Sequence, residues 1–184
     1  ARLRASEPVG RAVVTSVWGS APQAEGATML VSATGKMVGS VSGGCVEAAV
    51  AEEVRAAMAR GAAKLVRYGI SDERAWEVGL ACGGSLEVLV EPAVSGPVLA
   101  AAEGPGGVVV ATFLDGAEPG RSVSIDDSSP VEVTDLVRAA REALRSGRSR
   151  TVRVSPRRSW TPPARSSAAC CEITSSTTAR SKWR

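Results

Sequence analysis

The run Gly39-Ser40-Val41-Ser42-Gly43-Gly44-Cys45-Val46-Glu47 carries the chain from strand to helix, and the reading of the fold starts there. Behind it, residues 46–60 place Val46, Val50, Val54, Ala57 and Met58 at four- and three-residue steps, which predicts a helix with one apolar face. Glu47, Glu52 and Glu53 towards its start and Arg60 at its end suit the helix dipole, and Gly61 is the expected stop. Ahead of it, residues 27–32 and 37–41 read as a hairpin around Ala33-Thr34-Gly35.

Outward from this core, residues 12–18 (AVVTSVW) form a predicted strand and Gly19 to Gly26 a loop. Residues 64–68 and 85–90 are further strands, with a short helix or turn at 72–78. The order then recurs: strand 108–113, turn Asp115-Gly116, strand 122–125, and helix 135–146 capped by Thr134 with Val137, Ala140 and Leu144 facing inward. The two helix exits align without gaps, residues 54–67 over 140–153, with Gly61 over Gly147. The expected fold is therefore α/β (α+β). Two related strand–hairpin–helix–strand halves, about 12–91 and 108–154, form a mixed sheet with flanking helices inside a domain spanning 1–154.

Past Ser155 the composition turns to Ser, Arg, Thr, Pro and Ala, with Ile173 the one branched aliphatic residue. Such a segment buries too little surface to offset its chain entropy, so 155–184 is expected to be disordered, or to be read out of frame. A basic tail for an acidic partner is the functional alternative.

Composition excludes several classes. At 184 residues and 44% hydrophobic the chain can bury a core, but with 3% aromatics that core is built from Val, Ala and Leu. No run approaches the ~18 apolar residues of a membrane span, and no basic flank precedes an apolar stretch at the start, so the expected compartment is cytoplasmic. The net charge of +3 falls mostly in the last forty residues, against a basic nucleic-acid face. There is no histidine, which removes Ser-His-Asp and Cys-His catalysis and His-containing zinc sites together. Four cysteines remain, and Cys45 and Cys82 stand too far apart in sequence for paired zinc spacings.

Cys45 and Cys82 each adjoin a Gly-Gly pair. Gly43-Gly44 lets backbone N–H groups approach a ligand, and the following helix start offers unpaired donors and partial positive charge to a phosphate. The same field favours a thiolate, since cysteines at helix N-termini fall to pKa values of roughly 3.5–7.5. The competing reading makes Cys45 a small buried hydrophobe and Gly-Gly the end of a hairpin. Gly79-Leu80-Ala81-Cys82-Gly83-Gly84 leads into a strand, so Cys82 alone reads more readily as structural; as a pair the two thiols point to one cleft. The polar loop from Gly19 to Gly26 is a further candidate for ligand contact.

Three linked runs carry a family resemblance: Trp18-Gly19-Ser20-Ala21-Pro22 with Gly26 to Val31, then Gly39 to Glu47, then Tyr68-Gly69 through Trp76 to Gly84. In order, spacing and identity they resemble the N-terminal domain of the XdhC/CoxI family, accessory factors of xanthine dehydrogenase and carbon monoxide dehydrogenase. The resemblance implies a maturation factor that binds molybdenum cofactor, the metal held by the dithiolene of a phosphorylated pterin, and delivers it to a molybdenum hydroxylase apo-enzyme. It implies an accessory carrier more than a catalyst. A cysteine desulfurase and a second copy of the chain are further candidate partners; nucleic acid and membrane are not expected. Carried over motif by motif, the candidate cofactor-binding residues are Ser20, Gly43, Gly44, Cys45, Glu47, Cys82, Gly83 and Gly84. Cys45 and Cys82 are the candidates for catalysis, and Cys45 for contact with the soft metal. Gln23 stands where the family pattern has Arg, and no glycine fingerprint of a Rossmann-like domain follows residue 92. The alternative is a thiol oxidoreductase or sulfurtransferase using Cys45 and Cys82 as attacking and resolving thiols.

Overall fold

The computed structural model describes residues 7–69, 83–103, 108–114, 119–125, 135–148, 150–154 and 169–175. The chain divides into two compact units, Ala1–Val94 and Ser95–Arg184.

The first unit is a five-stranded sheet with one helix across it. Its elements are β1 (Val9–Trp18), β2 (Thr28–Ser32), β3 (Met37–Gly39), α1 (Glu47–Arg60), β4 (Lys64–Tyr68) and β5 (Ser85–Glu91). The strand order is β3-β2-β1-β5-β4, and every pair is antiparallel. Period-two alternation explains the core. Ala12 and Val14 of β1, Met29 and Val31 of β2, and Leu86, Val88 and Val90 of β5 share the face that meets Val50, Ala51, Val54 and Ala57 of α1. The apolar face read from the helix period is the buried one. Gly61 ends the helix in the left-handed conformation (φ 67°) and returns its N–H to the Ala57 carbonyl at 2.9 Å, as a glycine without Cβ penalty can. On the opposite face of the sheet, Arg11 and Glu91 lie on one rung of the β1–β5 ladder as a buried ion pair, each side chain 3% exposed. Burial pushes the Glu91 carboxyl up, and Arg11 works against that shift.

The second unit holds α2 (Gly96–Glu103), β6 (Val109–Phe113), β7 (Ser122–Ile125), α3 (Asp135–Ser146), β8 (Arg150–Val154) and β9 (Ala169–Ser175). Its sheet runs β7-β6-β9-β8, again antiparallel throughout. Its buried cluster is Val109, Ala111, Ile125, Ala140 and Ala143, with Leu136, Ala139 and Leu144 packed against it. The face of α3 thus includes the expected Ala140 and Leu144, but Leu136 and Ala143 take the place expected of Val137.

The two units share one plan. Order β2-β1-β5-β4 in the first matches β7-β6-β9-β8 in the second. The rung Ala12↔Val90 corresponds to Ala111↔Ile173, Ala12↔Met29 to Ala111↔Val123, and Lys64↔Val90 to Arg150↔Ile173. With these equivalences the three ladders run in the same register, and the core positions Ala12, Met29 and Val31 fall on Ala111, Val123 and Ile125.

The α/β class and flanking helices are as expected, with two refinements. The described strands form two antiparallel sheets rather than one mixed sheet. Within the tail expected to lack structure, Ala169–Ser175 is a strand between β6 and β8. A ladder is held by backbone groups that every non-proline residue owns, so it forms without the apolar composition on which the expectation of disorder rested. The expected element at 72–78 and the cap Thr134 lie outside the described residues. Helix α2, not read from the sequence, opens Gly96-Pro97, a proline in the first turn where its missing N–H costs nothing.

Candidate functional site

The loop between β3 and α1 is closed by an acid from the helix it precedes. Glu47, the first residue of α1, turns its carboxylate back over the loop. Its Oε1 accepts from Ser40 Oγ (2.6 Å) and from the backbone N–H of Val41 (3.1 Å), Ser42 (2.8 Å) and Gly43 (3.0 Å). Its Oε2 accepts from Ser42 Oγ (2.5 Å) and Gly44 N–H (2.9 Å). Ser42, fully buried, in turn accepts the N–H groups of Cys45 (3.1 Å) and Val46 (3.0 Å) on its Oγ. Burial opposes the Glu47 charge, but the hydrogen bonds from Ser40, Ser42 and the backbone outweigh it and hold the carboxyl down at about 2.

This changes the part expected of the glycines. Gly43 and Gly44 were expected to offer their N–H groups to a phosphate; the structure gives both to Glu47. The physical reason is proximity. A carboxylate one helical turn away carries the charge and the acceptor geometry of an anionic ligand and is always present. Glu47 itself, expected among the cofactor-binding residues, therefore faces its own loop. The α1 N-terminus has no side-chain capping bond, and Ser42, four residues upstream of the N-cap Val46, accepts the N–H of Val46 itself. Ser40 and Ser42 were missed in the sequence reading. Their signal is two serines ahead of a Gly-Gly and an acid just behind it, a pattern unlike the usual capping box.

Cys45 is exposed, which overturns its reading as a small buried hydrophobe. Two other motif segments are linked to its loop in turn. Pro22 packs on Gly43, so that a Cβ there would stand 3.4 Å from the Pro22 Cβ. Gly84 fits beneath the first loop: a Cβ at Gly84 would collide with the Ser20 carbonyl and lie 3.1 Å from the Trp18 carbonyl oxygen. Only a residue without a side chain allows that approach. The segment from Trp18 to Pro22 thus bridges the two Gly-Gly elements, bringing Ser20, Gly43, Gly44, Cys45, Gly83 and Gly84 to one end of the first sheet. Cys82 and the rest of residues 70–82 lie outside the described residues, so the cluster is established up to Gly83, the residue after Cys82 in the chain.

Trp18 adds a surface the sequence reading passed over. It ends β1, is 46% exposed, and carries the Arg67 guanidinium 4.9 Å from its ring centroid. Arg67 also reaches Glu87 at 3.3 Å. A cation seated on an indole offers a flat apolar face and a positive charge together. Among the described residues no group of three Cys, Asp or Glu side chains could hold a metal ion. Within them, no helix is long and apolar enough to cross a membrane.

Residues 2–69 match the XdhC and CoxI family. Over 93 residues the chain is 33% identical to a protein of Bacillus subtilis (strain 168) named as a probable subunit of xanthine dehydrogenase, a match covering 50% of this chain and 28% of that protein. The crystal structure of a xanthine dehydrogenase from Bacillus halodurans is similar with a TM-score of 0.54 and 26% identity, over 69% of this chain and 40% of that one. The chain thus spans less than half the length of either relative. The motifs that bring Trp18–Pro22 and Gly39–Glu47 into one cluster lie inside the segment of the first unit, residues 2–69, that is similar to the XdhC and CoxI family.

Proposed function

We propose that the first unit binds molybdenum cofactor as cargo and serves the maturation of a molybdenum hydroxylase such as xanthine dehydrogenase. The observation that carries this reading is the packing of the Trp18–Pro22 segment against both Gly43 and Gly84, beside a loop that exposes Cys45, in a chain whose relatives bear the name xanthine dehydrogenase. The cofactor is the substrate of this step, and the chain's residues fit it in part. Cys45 offers a soft sulfur donor at the surface. Trp18 with Arg67 offers a stacking face for a pterin and a charge for its phosphate. Ser20, exposed in the bridging loop, adds a hydroxyl. The backbone donors of Gly43 and Gly44 do not fit the phosphate, because Glu47 holds them. The partner expected of such a carrier is the apo-hydroxylase.

The test is retention. Purified protein is incubated with molybdopterin and passed through gel filtration, with pterin read in the protein peak. Wild type is expected to retain it, Cys45→Ala and Trp18→Ala to retain much less. A wild type that retains none, while a Cys45–Cys82 disulfide forms under mild oxidant, would replace the carrier by a thiol oxidoreductase.

A further inference from the structure

Six donors of the β3–α1 loop close on a single carboxylate, and the loop's outermost group is a thiol. The connections are sequential. Glu47 accepts the Ser42 hydroxyl proton, which leaves the lone pairs of Ser42 Oγ for the N–H groups of Cys45 and Val46. The backbone of Cys45 is thereby tied to Glu47 through one buried hydroxyl. Gly43 and Gly44, at φ 84° and 120°, turn their N–H groups into the concave side where the carboxylate sits. An external anion at this loop meets donors already in use, so the loop's function is directed through what it exposes.

We infer that Glu47 is a positioning residue: it fills the loop's ring of N–H groups as an internal anion and thereby restrains the loop that presents the exposed Cys45 to the cargo. The cargo in that statement rests on the function proposed above; the hold on the loop does not. Glutamine at 47 keeps the volume but turns an amide N–H₂ towards backbone donors. Alanine empties the ring and leaves its donors for a small anion from solution.

The experiment measures the rate of Cys45 alkylation by iodoacetamide in the full chain, resolved by peptide mass spectrometry. Glu47→Ala is expected to raise the rate about five-fold or more, as access to a thiol follows the freedom of its loop. Sodium formate, a carboxylate small enough to enter the emptied ring, is expected to bring the rate back towards wild type. Glu47→Gln is measured beside it, should truncation unfold the unit, and is expected to raise the rate without response to formate. Glu52→Ala, on the exposed side of α1, is the control and leaves the rate unchanged. A wild-type rate in Glu47→Ala or Glu47→Gln, or a raised rate in Glu47→Ala that formate does not lower, overturns the inference. Molybdopterin retention in the same samples separates the two readings. A wild type that retains no cofactor defeats the carrier function, while the alkylation rates still decide the role of Glu47.

Discussion

The two sheets are laid on the same strand order and register, yet the equivalent rungs are filled differently. Where the first unit places the buried pair Arg11–Glu91, the second places Val110 opposite Thr174. The first also extends past β2 by the short strand β3, and β3 leads into the loop that Glu47 closes. The lesson is a division of labour. The antiparallel plan tolerates an ion pair or a Val–Thr rung, because ladder bonds are indifferent to the side chains between them. The candidate site of the first unit sits in the connections at the strand ends, where polar groups reach solvent.

The largest effect expected from breaking this comparison is on β9, a central strand of the second sheet. Deleting residues 169–184 removes the strand that joins β6 to β8, and amide exchange should then show protection lost in β6, β7 and β8 but kept in β1, β5 and α1. If β6 and β8 keep their protection, the correspondence of β9 with β5 fails.

Next comes the buried pair. Arg11→Met leaves Glu91 buried without its partner, an expected loss of about 3–5 kcal/mol by urea denaturation. The double change Arg11→Val with Glu91→Thr copies the rung of the second unit and should recover most of that loss. No recovery would mean that the two sheets differ in what their equivalent rungs demand.

Glu47→Gln should cost less, roughly 1–2 kcal/mol at neutral pH once solvent screening of a partly exposed group is allowed for. The Glu47 carboxyl is lowered in the folded state, from 4.5 to about 2. Its contribution is therefore full above pH 4.5 and is lost as pH falls through the folded value. The gap between wild type and variant should close over that interval. A gap that stays constant down to about pH 2 would assign the loss to packing rather than to the charge.

The smallest effect is the most direct comparison. Gly61 and Gly147 end their helices at φ 67° and 64°, each returning its N–H four residues back at 2.9 Å. Gly61→Ala and Gly147→Ala should each cost about 1 kcal/mol, the usual penalty of a Cβ in that conformation. Unequal midpoint shifts in the two units would show that the two caps are not one device.

Much of the architecture was legible in the chain because it rests on local rules. The period of Val50, Val54 and Ala57 marked the helix and its buried face, alternation in SLEVLV marked β5, and glycine marked both helix ends. The ungapped match of the two helix exits lay in plain view for the same reason. Strand β9 was not legible, since composition measures side-chain burial while a ladder is made by the backbone. In the candidate site, the family resemblance named Ser20, Gly43, Gly44, Cys45, Gly83 and Gly84 as candidates, and the structure brings these to one end of the sheet. It did not reveal that Glu47 would take the glycine donors, nor that Arg67 would lie over Trp18, because both are choices of side-chain direction among neighbours brought close by the sheet.

By itself the amino-acid sequence determined most of the elements and their order, the absence of histidine, and the motifs of the first unit that resemble the XdhC and CoxI family. These follow from residue type and spacing along the chain, which no folding alters. Only the tertiary structure decided that Pro22 meets Gly43, that Gly84 lies under Ser20, and that an internal carboxylate answers the loop's donors. Contacts between residues far apart in sequence depend on strand order and register, and an anion's partner is whichever acceptor the fold carries within reach.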